Sequence, residues 1–156
     1  MERVEATREA AFSLLELMIA LAVAAVMAAF AVPAYRTHVT KAHRVDAATA
    51  VLKAVQFVET ARLGQVAASA DAIVLSAGFD QAPSSGRAVY RLTVLPENAT
   101  NGGYGIEAAP VTPGEMQDDA CGVFVVDATG LRWNRAPGAT APLDTAQSVA
   151  CWAGRM

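Results

Sequence analysis

Few side chains in this sequence are spaced so that they could do metal chemistry. His38 and His43 lie five residues apart, which fits one face of a helix poorly, and we find no carboxylate that completes a ligand set with them. Asp118 and Asp119 could bind calcium, but two adjacent carboxylates without further ligands are more typical of a solvated loop. We therefore expect two solvated histidines and no metal site.

The only two cysteines, Cys121 and Cys151, are thirty residues apart. A catalytic cysteine is disfavoured because neither histidine is near either cysteine in the sequence. A bridge would close a loop worth roughly 3.5 to 4 kcal/mol on the chain-entropy model, and it would place this region in an oxidising compartment. Free buried thiols are the alternative. We find no catalytic constellation and no phosphate-binding glycine loop, so we predict neither an enzyme nor a cofactor.

One short segment has a composition that suits nucleic acid. Residues 131–135 (LRWNR) combine charge with an aromatic ring, which makes Arg132, Trp133 and Arg135 candidate DNA contacts. The surrounding charge counts against this, because residues 64–156 hold five arginines and nine acids, a net charge of −4. A surface loop with a half-buried tryptophan is the alternative interpretation.

The elements that position these residues follow from an uneven distribution of apolar side chains. Apolar residues make up 54% of the 156 residues and charged ones 17%, which excludes a disordered tail and suits one ordinary domain. The net charge of −3 offers no overall basic field for nucleic acid. Residues 12–32 carry one charge, Glu16, and a helix of that length spans the ~30 Å bilayer core.

Two interpretations of this apolar run compete. In an ordinary secretory signal, Arg3 and Arg8 would form the charged region and Ala29-Phe30-Ala31 the cleavage site. Glu16 argues against that signal, because a carboxylate at mid-depth in a membrane costs roughly 2.5 to 3.5 kcal/mol. An ionisable group in such a helix therefore indicates a function.

Residues 10–19 (AAFSLLELMI) resemble the class III signal of type IV prepilins: a small residue, then Phe, Thr or Ser, two aliphatics, Glu and an apolar run. Pro33 and Tyr35 also fall where type IV pilins usually carry these residues. The resemblance implies that a prepilin peptidase cleaves between Ala11 and Phe12 on the cytoplasmic side, and that Phe12 is then N-methylated. The family usually has Gly before the cut, but Ala is the next smallest residue, so we expect cleavage.

Glu16 would lie about one helical turn from the amine that cleavage creates at Phe12. The resemblance implies that this Glu neutralises the N-terminal amine of a neighbouring subunit and sets the axial stagger of the fibre. Pairing with the subunit's own amine is the alternative. The positive-inside count, with two basic residues before the helix and three soon after it, does not support the N-in orientation that the family requires. The cysteines must therefore decide the orientation.

After Pro33, where we expect a bend, the pattern stays helical and becomes amphipathic until Gly64, a plausible stop. The predicted apolar stripe comprises Val45, Ala48, Leu52, Val55 and Val58. We expect a leader at 1–11, a transmembrane and assembly helix at 12–34, an amphipathic half at 35–63 and a β-rich pilin domain at 64–156.

The rest of the chain must supply a sheet to cover the stripe. Strands are predicted at 87–95, 104–108, 121–127 and 131–133, a turn at 98–100, and a loop at 136–144. Residues 72–76 (AIVLS) are either a strand or part of the connection from helix to sheet. The predicted fold class is α+β: a long N-terminal helix, membrane-spanning and then amphipathic, packed on a three- to four-stranded antiparallel sheet.

A second set of residues resembles the PilE-like minor pilins of Gram-negative bacteria. It comprises Tyr104-Gly105-Ile106, Cys121-Gly122 before an apolar strand ending at Asp127, Gly130, and the terminal Cys151-Trp152. In that family the two cysteines pin the C-terminal segment to the sheet.

The two resemblances imply a structural subunit, a minor pilin that supports assembly of a type IV pilus, twitching and adhesion. It would cross the bacterial inner membrane once, with its C-terminal domain in the periplasm, and then join the extracellular fibre. The implied partners are other major and minor pilins, the prepilin peptidase and the inner-membrane assembly platform. The alternatives are a DNA-binding minor pilin for natural transformation and a pseudopilin of type II secretion.

Overall fold

The structure, a computed structural model, describes residues 12–64 and 73–155. The chain divides into two compact units, one up to Thr37 and one from His38 onward. In chain order the elements are helix α1 (Leu14–Gly64), strands β1 (Gln81–Ala82), β2 (Tyr90–Leu95), β3 (Gly105–Pro110), β4 (Val123–Asp127) and β5 (Arg132–Arg135), and helix α2 (Thr145–Trp152). The predicted leader, including Ala11, lies outside the described residues.

The first unit is the apolar start of α1. The helix begins at Leu14, two residues later than expected, and Pro33 lies inside it. Thr37 Oγ1 donates to the Pro33 carbonyl at 3.0 Å, and a bend at Pro33 remains a prediction. Every described side chain from Phe12 to Thr37 is exposed, and α1 is long and apolar enough to cross a membrane.

The second unit contains a five-stranded antiparallel sheet in the order β1-β2-β3-β4-β5. Each strand pairs with its neighbour in sequence, and an antiparallel sheet in this order needs no crossover connection. The α+β class is confirmed, but the sheet has five strands where three or four were predicted. The extra strand, β1, has two residues, which is too short to show an alternating pattern.

One face of the sheet and one face of α1 form the core. The fully buried side chains include Val51 and Val58 from the helix and Tyr90, Ile106 and Phe124 from the sheet. The predicted helical stripe was partly wrong, because Ala47, Val51 and Ala54 are buried, whereas Val45 is 48% exposed. The stripe was displaced because the prediction kept Arg44 out of the core, and Arg44 is in fact buried.

The segment after β5 contains an element that the sequence analysis did not predict. Residues 136–144 are irregular as expected, and α2 follows them, begun by Asp144, whose Oδ2 accepts from the Ala146 N–H at 2.9 Å. α2 has eight residues, so it shows little periodicity. Ile73–Ser76 form neither strand nor helix and belong to the connection, while Ala72 lies outside the described residues.

Candidate functional site

The N-terminal unit presents one carboxylate on an otherwise apolar helix. Glu16 lies in the first turn of α1 and is exposed, and Phe12, just before the helix, is 74% exposed. Ser13, Leu15 and Ile19 line a shallow hollow beside the carboxylate. Within residues 12–64 and 73–155 no cation forms a salt bridge with Glu16. Such a surface suits lipid or the apolar face of another helix.

The two cysteines form a disulfide that fastens α2 to the segment before β4. Cys121 and Cys151 are bonded, with Cα atoms 5.6 Å apart, and both are fully buried, so the alternative of free thiols is excluded. The next residue, Trp152, packs edge-on against Phe124 with ring centroids 5.5 Å apart. The C-terminal segment is thereby fixed to the core of the sheet.

The residue after the first cysteine, Gly122, lies where only a glycine fits. Its φ is +53°, and a Cβ at this position would lie 2.4 Å from the carbonyl oxygen of Arg135. Beside it, Asn134 Nδ2 donates to the Cys121 carbonyl at 2.9 Å. The backbone before β4 therefore approaches β5 too closely for any side chain.

A buried ion pair joins α1 to this same segment. The Arg44 guanidinium donates to both carboxylate oxygens of Asp119, with Nε–Oδ2 at 3.1 Å, and the two side chains are 8% and 5% exposed. Asp119 also accepts from the Cys121 N–H at 3.1 Å. The expectation that Asp119 lies in a solvated loop was therefore wrong. Burial and the Asp119 charge raise the pKa of Tyr90, and the Arg44 charge opposes that shift.

The two histidines have different surroundings. His38 is exposed, as expected, but the side chain of His43 is only 19% exposed, and its Nε2 lies 3.5 Å from Glu115 Oε2. The expectation that both are solvated was therefore wrong for His43, which packs against the segment that carries Glu115. Within the described parts of the chain, no three His, Cys, Asp or Glu side chains converge as a metal site would require.

The far end of α1 is joined to the sheet by a second polar cluster. The Tyr104 hydroxyl donates to Glu59 Oε1 at 2.6 Å, and the Arg62 guanidinium lies 5.4 Å from the centre of the Tyr104 ring. Burial and the hydrogen bond to Glu59 raise the pKa of Tyr104. This contact gives the tyrosine of the 104–106 motif a structural role.

The candidate DNA residues lie on β5 and do not share one face. Alternation places Arg132 on the side of the sheet that faces the core, where its guanidinium lies 5.6 Å from the centre of the Trp152 ring. Trp133 and Arg135 point to the other face. The Arg135 charge is neutralised by Glu107 Oε2 at 2.6 Å, so Arg132 is the more available cation.

Two family models match the chain. The prokaryotic N-terminal methylation motif matches residues 6–32. The family described as type IV minor pilin ComP, DNA uptake sequence receptor, matches residues 33–125, more than half of the chain. No curated protein sequence matches the chain, and no solved structure does. The first match falls on the apolar start of α1, and the second covers more than half of the chain, so the chain belongs to the family of the type IV minor pilin ComP.

Proposed function

We propose that this type IV minor pilin is made as a prepilin, cut between Ala11 and Phe12 by a prepilin peptidase and methylated on Phe12. The match of residues 6–32 to the N-terminal methylation motif supports this processing. Phe12 stands exposed in front of α1, where an enzyme could reach its backbone nitrogen. The peptidase leaves the apolar helix on the chain, so the mature protein keeps its membrane anchor.

Glu16 is the observation that carries the proposal. It is the one charged residue between Phe12 and Tyr35, on a helix whose side chains are all exposed there. An amine and a carboxylate are each costly in an apolar medium and tolerable when paired. As in the pilin family that the chain resembles, the Glu16 carboxylate would pair with the Phe12 amine of a neighbouring subunit, and this pair would set the stagger between subunits.

The proposed orientation puts the second unit in the periplasm before assembly. The buried Cys121–Cys151 disulfide supports this, because disulfides persist in oxidising compartments and are rare in the cytosol. The proposed partners are other pilins, the prepilin peptidase and the inner-membrane assembly platform. The subunit contributes to assembly, twitching and adhesion as a structural component.

The test is the partition of the protein between membranes and sheared pili. Glu16→Gln keeps the shape and removes the charge, and Glu97→Gln, on an exposed loop residue, is the matched control. We expect E16Q to be cut and methylated normally and yet to fall at least about tenfold in the pilus fraction, as loss of a charged hydrogen bond allows. The control is expected to match the unaltered protein. Entry of E16Q into pili at the unaltered level contradicts the role of Glu16.

A second candidate function is DNA binding during natural transformation. The observation that favours it is the match to a family whose description names a DNA uptake sequence receptor. Arg132 is exposed and stacks on Trp152, as a cation that contacts phosphate or base would. Against it, Arg132, Trp133 and Arg135 all lie beyond residue 125, where that match ends, and Arg135 is neutralised.

The DNA hypothesis is tested with the mature chain in a neutral detergent and short duplexes at low salt, where electrostatic binding is strongest. Binding should weaken as salt rises, and Arg132→Ala should weaken it more than Arg87→Ala, which removes an exposed cation that lies before β2. Failure to retard any duplex at the lowest salt contradicts DNA binding. Deleting the gene and comparing twitching with protein secretion tests the remaining alternative, a pseudopilin.

A further inference from the structure

We propose that the outer edge of β5 at Arg132 binds an extended, acidic segment of a partner protein, which adds a short strand to the sheet. Edge strands present unpaired N–H and C=O groups, and peptide recognition by strand addition uses them. This inference goes beyond the role of a pilus subunit, and its test does not require pilus assembly.

The hydrogen bonds around β5 show which backbone groups face its outer edge. The Asn134 N–H donates to Ser148 Oγ at 3.2 Å, and the Asn134 carbonyl accepts from the Leu143 N–H at 2.7 Å, so both groups point away from β4. In an antiparallel pair this direction alternates, and Arg132 is two residues from Asn134. The Asp127 N–H donates to the Leu131 carbonyl at 3.1 Å, which fits the same alternation. Arg132 therefore also directs its N–H and C=O to the outer edge.

The chain itself begins to cover this edge and then stops. Pro142 forms an antiparallel bridge with Arg135, and Leu143 bonds to Asn134, which together make the start of a sixth strand. At Asp144 the chain turns into α2, which stays beside β5, with Ser148 Oγ on the Asn134 N–H, but adds no further strand pairing. In the described part of the chain, no backbone or side-chain group forms a hydrogen bond to the outward N–H or C=O of Arg132. No strand therefore pairs with β5 at Arg132, in line with Pro142 and Leu143.

A cavity of about 530 Å³ lies along this part of the edge. Its apolar wall includes Leu131 and Val149, which are 63% and 57% exposed, together with Leu143. Thr140 and Thr145 add hydroxyl groups. The volume and the mixed lining fit a few residues of extended peptide with one apolar side chain turned inward.

Charge complementarity selects an acidic segment. Arg132 lines the cavity, is exposed and has no salt-bridge partner among the described residues. The cavity's own carboxylate, Asp127, is buried, and its Oδ1 already accepts from Thr129 and from the Leu131 N–H. The carboxylate of an Asp or Glu on an extended peptide can therefore pair with the Arg132 guanidinium, while the peptide backbone forms hydrogen bonds along the edge of β5.

The probe is acetyl-Thr-Val-Asp-Val-Thr-amide, titrated into the isotope-labelled mature chain in neutral detergent. Two analogues carry an N-methyl group on adjacent residues, so that only one of them blocks an N–H that faces β5. We expect the largest amide shift at Arg132, slower amide exchange there, and at least about tenfold weaker binding for one analogue only. Arg132→Ala should weaken binding about tenfold, since it removes a charge-assisted contact and keeps the backbone N–H.

Val149→Trp, at an exposed residue of α2, should fill the cavity and abolish peptide binding. The control, Leu63→Trp, changes an 87% exposed residue of α1 and should leave peptide binding unchanged. Three outcomes overturn the proposal: no binding of the peptide, equal binding of both N-methyl analogues, or unchanged binding to V149W. If a short DNA duplex shifts the Arg132 amide and the peptide does not, the occupant is nucleic acid and the proposal is wrong.

Discussion

The buried pair of Arg44 and Asp119 gives the sharpest test of how the second unit is held together. Arg44→Met keeps most of the side-chain volume and leaves the Asp119 carboxylate buried without its cation. Because both side chains are less than a tenth exposed, we expect the free energy of unfolding to fall by about 3 to 5 kcal/mol. The matched control is Arg91→Met, whose pair with Asp80 is 3.5 Å long with side chains 58% and 34% exposed. That change should cost about 0 to 1 kcal/mol.

The double variant R44M/D119L separates the charge from the packing. Removing both charges should recover most of the loss, because an apolar pair of similar volume replaces a buried ion pair at little cost. About 1 kcal/mol should remain lost, since Asp119 also accepts the Cys121 N–H, which Leu cannot do. The assay is urea unfolding of the mature chain in one fixed neutral detergent at pH 7, followed by tryptophan fluorescence of Trp133 and Trp152.

Two results would refute this reasoning. The first is a cost for R44M no larger than that for R91M, which would mean that the Arg44–Asp119 pair is solvated. The second is a double variant that is less stable than R44M alone, which would mean that the carboxylate is stabilised by something other than Arg44.

Three further predictions concern the same unit. Replacing Cys121 and Cys151 by Ser should lower the free energy of unfolding by roughly 3.5 to 4 kcal/mol in the same urea assay. Gly122→Ala should cost at least about 2 kcal/mol, because its Cβ would strike a β5 carbonyl. Its control is Gly138→Ala, at a glycine that also has a positive φ but has open space around it, and this change should cost about 1 kcal/mol. Burial raises the pKa of Tyr104, so above about pH 10 the unfolded chain loses the tyrosine proton first and the free energy of unfolding should fall as the pH rises. Tyr104→Phe should reduce that fall, as measured by the urea midpoints at pH 8 and pH 11.

The sequence was informative wherever a pattern was long or a motif was dense. The apolar run with a single carboxylate, the end of α1 at Gly64 and the strand ending at Asp127 all have strong local signals, and all appear in the structure. The family matches agree with the interpretation of the N-terminal motif and of residues 33–125 as those of a type IV minor pilin. Local periodicity and turn residues therefore sufficed for the fold class.

The features that the sequence analysis missed depend on contacts between distant residues. Arg44 and Asp119 are 75 positions apart, and nothing in either local pattern shows that they neutralise each other. Because Asp119 is so distant in the sequence, Arg44 was predicted to face solvent, and the predicted apolar stripe was displaced along the helix surface as a result. β1 and α2 were missed because elements of two and eight residues have little or no period to detect.

The candidate DNA residues show a related limit. Composition brought Arg132, Trp133 and Arg135 together, but a strand sends alternate side chains to opposite faces, and Glu107 takes the charge of Arg135. If residues 131–135 formed a loop, all three side chains could face the same ligand. The step from loop to strand therefore decides what the segment can bind.

The central claim, that this chain is processed as a prepilin and enters a pilus, is tested most directly by an intact mass. The protein is recovered from cell membranes and from sheared pili without reducing agent. The account predicts a mass that begins at methylated Phe12 and is two hydrogens short, for the Cys121–Cys151 bridge. A mass that begins at Val32 would mean an ordinary secreted domain, and it would contradict the anchor, the role of Glu16 and the pilus together.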